Sequence, residues 1–169
     1  MPHSNTVLTF MLKIPILLPS DRAVDLHIGR IGNETVSSIG PGLCVLVGVS
    51  RHDTDTEMDY IVRKILNLRL FSDGSDKRWM KSVMDMDYDV LCISQFTLES
   101  TLKGNKPDFR EAMAPDLALP FYSKLLQALK STYRPEKIHD GQFGAYMQVH
   151  IENDGPVTIP IEKKGEQVG

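Results

Sequence analysis

The sequence predicts a mixed α/β fold, a system of strands carrying two helices. Three observations support it: the nearly unbroken apolar runs Leu43 to Val49 and Val90 to Ile93, a capped amphipathic helix between them, and strand-like segments towards both ends. The 169 residues suit one domain over 1–169 with a core that needs no disulfide staples, and the ends, about 1–8 and 162–169, are expected to fray.

Residues 7 to 18 have strand-like composition, with Pro15 demoting part of the run to an edge or bulge. Ala23 to Ile28 and Ile31 to Ile39, separated by Gly29-Arg30 and containing the turn-prone Gly32-Asn33, read as antiparallel strands. After Gly40-Pro41-Gly42 breaks the chain, Leu43 to Val49 reads as a strand covered on both faces. Thr54-x-x-Glu57 is a capping box, and Met58, Ile61, Val62, Ile65 and Leu66 follow at one-face helical spacing.

Phe71 to Asp76 is a turn-rich loop, followed by Lys77, Arg78 and Lys81 around Trp79, a basic cluster read first as solvated and second as an RNA contact. Val90 to Ile93 delivers Ser94 to Leu98 to its C-terminal end, where sites in open α/β sheets tend to lie. A basic loop, Thr101 to Arg110, comes next. Pro115-Asp116 then opens a second helix with Leu117, Phe121, Leu125, Ala128 and Leu129 expected on its inner face. Residues 143 to 151 alternate with period two, which predicts a strand. It leads into Asn153-Asp154-Gly155-Pro156, whose plain reading is a tight turn before a final strand, Val157 to Ile161.

Hydrophobic residues at 41% and charged residues at 24% argue against disorder and membrane insertion, and a net charge of −3 argues against a non-specific nucleic-acid coat. RNA contact would have to come from local basic clusters. Cys44 and Cys92 lie in apolar runs without CxxC or metal-ligand spacing and read as buried thiols of a reducing compartment. Lys13, Pro15 and Pro19 interrupt the first apolar segment, so no signal peptide is expected and a cytoplasmic location is the default.

No GxSxG, HExxH, Walker A or GxGxxG occurs, and His3, His27, His52, His139 and His150 have no metal spacing, so no metal or cofactor is expected. Ser94 or Thr97 would need a base within reach to act as a nucleophile. His139 and His150 are candidates by elimination only, each read first as structural or surface histidines.

Ser94-Gln95-Phe96-Thr97-Leu98, then Lys103-Gly104-Asn105-Lys106-Pro107-Asp108-Phe109, then Phe143-Gly144-Ala145-Tyr146-Met147-Gln148-Val149, then Asn153-Asp154-Gly155-Pro156-Val157-Thr158 resemble, in order and spacing, the D-aminoacyl-tRNA deacylases. The resemblance runs from about Gly40 to Ile161. It implies a three-layer α/β/β arrangement, with two packed sheets and both helices on one outer face. It also implies a metal-independent hydrolase that cleaves the ester of D-aminoacyl-tRNA, and of glycine mischarged on tRNA. The homodimer it implies has active sites that cross between subunits, with no membrane involvement.

On this resemblance the Gly155-Pro156 bond is cis and its turn, flanked by Asn153, Val157 and Thr158, enters the partner's site, where the two carbonyls exclude an L side chain. Ser94, Gln95, Phe96 and Thr97 form the catalytic strand end. There, backbone N–H groups near Phe96 and Thr97 hold the ester carbonyl while the terminal ribose 2′-OH assists catalysis, and Thr97 serves in positioning rather than as a nucleophile. The terminal adenosine would lie along Phe143, Gly144, Ala145 and Met147, with Lys103, Lys106 and Arg110 on phosphates. Two departures stand out. Leu12-Lys13-Ile14 replaces the usual Gln-Arg strand, so that arginine's role is either unfilled or taken over by Lys13 or Arg22, and Asp108 stands where serine is common. The alternative is a non-catalytic RNA- or DNA-binding module of the same fold. An editor of L-aminoacyl-tRNA and a small-molecule hydrolase are more distant rivals.

Overall fold

The structure is a computed structural model that describes residues 8–14, 26–31, 34–75, 77–150 and 157–163, with side chains from residue 36 onward apart from His150 and Val157. Its strands are β1 (Leu8–Ile14), β2 (Leu26–Ile31), β3 (Glu34–Ile39), β4 (Gly42–Val47), β5 (Asp89–Ser94), β6 (Thr101–Lys103), β7 (Lys106–Asp108), β8 (Ile138–Asp140), β9 (Val149–His150) and β10 (Val157–Lys163). The helices are α1 (Asp55–Asn67) and α2 (Pro115–Thr132).

A five-stranded mixed sheet in the order β10-β1-β4-β5-β8 forms the middle layer. Its two apolar strands, β4 and β5, pair in parallel from Gly42↔Asp89 to Val47↔Ser94, and their side chains alternate between two cores. Leu43, Val45, Val90 and Cys92 face Ile61, Ile65 and Leu66 of α1 and Leu125 and Leu129 of α2. Cys44, Leu91 and Ile93 face the other way, against Ile39 at the end of β3. Full burial of each such Leu or Ile contributes about 1.5–3 kcal/mol. The second sheet, β3-β2-β9, thus covers the face opposite the helices, giving the α/β/β layering the resemblance implies. No helix among the described residues is long and apolar enough to cross a membrane.

α1 begins at the expected capping box: the Thr54 side chain accepts from the Thr56 amide at 3.3 Å, and Glu57 returns a carboxylate oxygen to the Thr54 amide at 3.0 Å. α2 begins at Pro115 as expected, but its buried face is Ala118, Tyr122, Leu125, Leu126 and Leu129, and Leu117 is 61% exposed. The predicted stripe is therefore one residue out of phase in the first turns. The reason is Tyr122, which turns inward and satisfies its polar end by donating its hydroxyl to Asp140 Oδ1 at 2.6 Å.

Other boundaries also move. β1 covers Leu8–Ile14, and the rest of the predicted run, Pro15 included, lies outside the described residues. Gly29 and Arg30 lie inside β2 rather than between strands. β10 runs through Lys163, two residues into the expected frayed end. The predicted strand over 143–151 is, among the described residues, only β9, because Phe143 and Gly144 form a turn with Gly144 at φ +72°. The β6–β7 hairpin lies inside the expected basic loop, and β8 is a further short strand without a periodic signal.

Candidate active site

Parallel pairing brings the ends of β4 and β5 level, and the Gln95 amide continues the ladder by donating to the Val47 carbonyl at 2.7 Å. The chain then winds into a single 3₁₀ turn, Phe96–Glu99. Leu98 is the first residue to bond back, to the Gln95 carbonyl at 3.2 Å, so the N–H groups of Phe96 and Thr97 precede the turn's own bonds. The Gln95 side-chain amide donates to Thr97 Oγ1 at 2.6 Å.

The turn can sit this close to β4 only because residue 48 is glycine. A Cβ there would lie 2.8 Å from Leu98 Cβ and 3.1 Å from a Glu99 carboxylate oxygen. Nothing in the periodicity of the apolar run marks Gly48 as part of the site.

Beside this strand end is a cavity of about 770 Å³. Ser94, Gln95 and Phe96 line one side, and Phe143, Gly144, Ala145, Tyr146 and Met147 line another. Two sequence stretches nearly fifty residues apart thus meet on one pocket. Phe96 is 58% exposed and Tyr146 92% exposed, so the opening presents two aromatic faces.

The 143–147 segment is fixed from behind. Phe143 packs against Tyr122 with ring centroids 5.6 Å apart, the Gly141 amide donates to the Cys92 carbonyl at 3.2 Å, and the Gln142 amide points at Met147 Sδ at 3.3 Å. Met147 both lines the cavity and packs on the second core.

The remaining wall was not foreseen. Met113 donates its amide to the Val49 carbonyl at 2.9 Å, and Arg51 to the Glu111 carbonyl at 3.0 Å. These bonds draw Ala112 to Pro115 alongside the exit of β4. Phe109, also on the wall, meets Phe96 edge-on at 5.1 Å. The small residues of Ala112-Met113-Ala114-Pro115 leave the space open, but no periodic signal announces them.

Next to Ser50, which bridges to Ala112, Asp53 is buried, with one carboxylate oxygen accepting from the Ser50 amide at 2.7 Å and the other without a hydrogen-bond partner among the described residues. Burial first, then repulsion from Glu99 and Glu57, pushes Asp53 up to about 8, against the lowering effect of the Ser50 N–H.

Several candidates fall elsewhere. Thr97 is next to the cavity but not among its lining residues. His139 lies on β8 with Nε2 3.7 Å from Asp89 at the start of β5, so it is remote from Ser94 and Thr97 and cannot serve them as a base. The Lys77, Arg78, Trp79 and Lys81 loop is also at that far end, because Phe71, which pairs with Lys81, packs on Tyr88 just before β5.

Lys103, Lys106 and Arg110 belong to the β6–β7 hairpin and its exit, outside the cavity, and Asp108 forms ion pairs with Lys103 at 3.3 Å and Arg110 at 2.6 Å. Asn153, Gly155, Pro156 and Arg22 lie outside the described residues, as does the His150 side chain. Val157 and Thr158 start β10, where Val157 pairs with Ile14 and Thr158 with Lys13, itself opposite Cys44. They are thus level with the beginning of β4, whereas the cavity lies at its end.

The family model described as D-Tyr-tRNA(Tyr) deacylase matches residues 25–162. The chain belongs to this family. The match takes in both sides of the cavity but begins after β1, the strand where the Gln-Arg pair is missing.

Over 132 residues, 78% of this chain, the sequence is 61% identical to D-aminoacyl-tRNA deacylase 1 of Homo sapiens, and the matched segment covers 63% of that protein. The chain therefore spans less than two thirds of the length of this relative. A solved structure of a c-Myc DNA Unwinding Element Binding Protein is 52% identical with a TM-score of 0.83, covering 92% of this chain and 98% of that one. A second, from a structural analysis of a probable eukaryotic D-amino acid tRNA deacylase, has a TM-score of 0.74 at 18% identity, covers 93% of this chain and 100% of that one, and shares the fold.

Proposed function

We propose that the chain is a D-aminoacyl-tRNA deacylase. The observation that carries this reading is the meeting of Ser94-Gln95-Phe96 and Phe143 to Met147 on one open cavity, in a chain of this family. The reaction adds water across the ester: the acyl C–O bond breaks, water oxygen goes to the carboxyl group, and the ribose oxygen leaves as a hydroxyl. The Phe96 and Thr97 N–H groups stabilise the negative charge that develops on the carbonyl oxygen. The 2′-OH beside the ester assists the attack. Among the described residues, no side chain lining the cavity is a strong base, which favours help from the substrate's own hydroxyl.

Selectivity rests on Gly155 and Pro156, whose carbonyls bind the α-amino group and leave room for a D side chain or for glycine but not an L side chain. The turn acts in trans, in a homodimer. This is supported by the register of β10, which starts at the end of the sheet away from the chain's own cavity. The protein works in translation quality control in the cytoplasm as a single domain over 1–169.

The test is to incubate the protein with D-Tyr-tRNA and L-Tyr-tRNA and follow release of the amino acid. Hydrolysis of the D form alone is expected, and equal hydrolysis of both, or of neither, would sink the reading. The likeness to the c-Myc DNA Unwinding Element Binding Protein keeps a second reading, nucleic-acid binding without cleavage. Binding of tRNA or DNA with no turnover of D-Tyr-tRNA would favour it.

A further inference from the structure

The β6–β7 hairpin carries three cations and one anion beside the cavity. Its turn uses Gly104 at φ +60°, and its strands pair Lys103 with Lys106 and Thr101 with Asp108. Asp108 Oδ2 accepts from Arg110 Nη2 at 2.6 Å and pairs with Lys103 Nζ at 3.3 Å, and Oδ1 accepts from the Arg110 amide at 3.1 Å. The carboxylate is recessed, with its side chain 17% exposed, while the two cationic side chains are 63% and 56% exposed. Lys106 forms no ion pair among the described residues. The next residue after Asp108 is Phe109, on the cavity wall.

We propose that Asp108 is an internal competitor for nucleic-acid phosphate, occupying the anion site that Lys103 and Arg110 form at the exit of the cavity. This rests on the deacylase reading, in which the RNA strand bonded to the ester leaves past Phe109. Guanidinium and ammonium groups recognise carboxylate and phosphate oxygens with the same charge-assisted geometry. A phosphate arriving at this pair must therefore share or displace the carboxylate, and it meets a net positive charge reduced by one. The consequence is a weak hold on the RNA, which speeds release of the uncharged product. The strength of the pairing shows in Asp108 itself: hydrogen bonds from Arg110 hold its carboxyl well below the usual range.

Binding of uncharged tRNA, followed by fluorescence anisotropy from 50 to 300 mM salt, tests this with the full chain and its Asp108→Asn, Lys103→Ala and doubly substituted forms. Asparagine keeps an oxygen for the Arg110 amide, and Asp108→Ser provides a second neutral variant if the first folds poorly. The expected result is tRNA binding about three- to tenfold tighter on neutralisation, with the logarithmic salt slope steeper by about 0.7–0.9, one further phosphate contact. Lys103→Ala should also cost more affinity in the neutralised background than in the original one. Unchanged or weaker binding by both neutral variants, or no measurable tRNA binding by any form, overturns the proposal. If the salt behaviour is as expected while D-Tyr-tRNA stays intact, the deacylase reading fails and the competition stands. The converse result removes the competition alone.

Discussion

Gln95 and Thr97 are joined by a 2.6 Å hydrogen bond in which the amide Nε2 donates to the threonine hydroxyl oxygen. A hydroxyl that accepts a hydrogen bond has a lone pair occupied and is a poorer nucleophile, and the histidine on β8 is too far away to remove its proton. The bond instead fixes the first residues of the 3₁₀ turn, and with them the direction of the Phe96 and Thr97 N–H groups. Replacing Thr97 by Ala should therefore lower kcat/KM for D-Tyr-tRNA by less than about tenfold. Loss of a true nucleophile costs about a thousandfold or more, and single-turnover kinetics separate the two.

Gly48 should be intolerant of any side chain. The added Cβ would meet Leu98 Cβ at 2.8 Å, so Gly48→Ala must push the 3₁₀ turn away from β4. Overpacking costs about 1–3 kcal/mol of stability, and, on the proposed function, displacement of this turn by about 1 Å lowers turnover on the order of 10²-fold. Denaturant unfolding alongside kcat measures both, and an active, fully stable Gly48→Ala chain would contradict the packing described.

Asp53 makes stability fall with rising pH. In the folded chain it keeps its proton up to about 8, whereas the unfolded carboxyl ionises near 3.8, so between those values the folded state binds more protons. Its favourable contribution is complete below about 3.8, is lost as pH rises to about 8, and is level above that. Asp53→Asn, neutral at every pH and able to accept from the Ser50 amide, should flatten this slope and raise Tm by a few degrees at pH 8, where about 1 kcal/mol is worth roughly 2–4 °C. Thermal unfolding at pH 5, 7 and 8.5 checks it.

Tyr122 secures the 143–147 wall through its hydroxyl bond to Asp140 and its ring contact with Phe143. Tyr122→Phe keeps the ring and removes a hydrogen bond to a half-buried carboxyl group already raised by burial. The expected loss is about 1.5–3 kcal/mol of stability by chemical denaturation, with KM for D-Tyr-tRNA changing less than stability does.

Pro156 and Ser94 should separate selectivity from support. Pro156→Ala should admit L-Tyr-tRNA or lose activity, while Ser94→Ala, at the end of β5, should change kcat/KM several-fold at most. A Pro156 variant that still discriminates D from L at the original ratio would remove the backbone-filter assignment.

The sequence by itself determined the elements whose signals are local. The capping box set the start of α1, the unbroken apolar runs set β4 and β5, and the order of four short stretches pointed to the family. The cavity's two predicted sides were legible for the same reason, since Ser94 to Phe96 and Phe143 to Met147 are continuous in the chain. Tertiary structure alone decided what depends on contacts between distant residues. Tyr122 faces inward because Asp140, eighteen residues on, accepts its hydroxyl, which rotated the buried stripe of α2. Gly48 matters because a turn fifty residues later packs against it, and Ala112 to Pro115 form a wall because their backbone pairs with the exit of β4. The Asp108 pairs likewise arise from a hairpin that brings two basic residues, Lys103 and Arg110, onto one carboxylate, so charges that the sequence can only count take a definite arrangement.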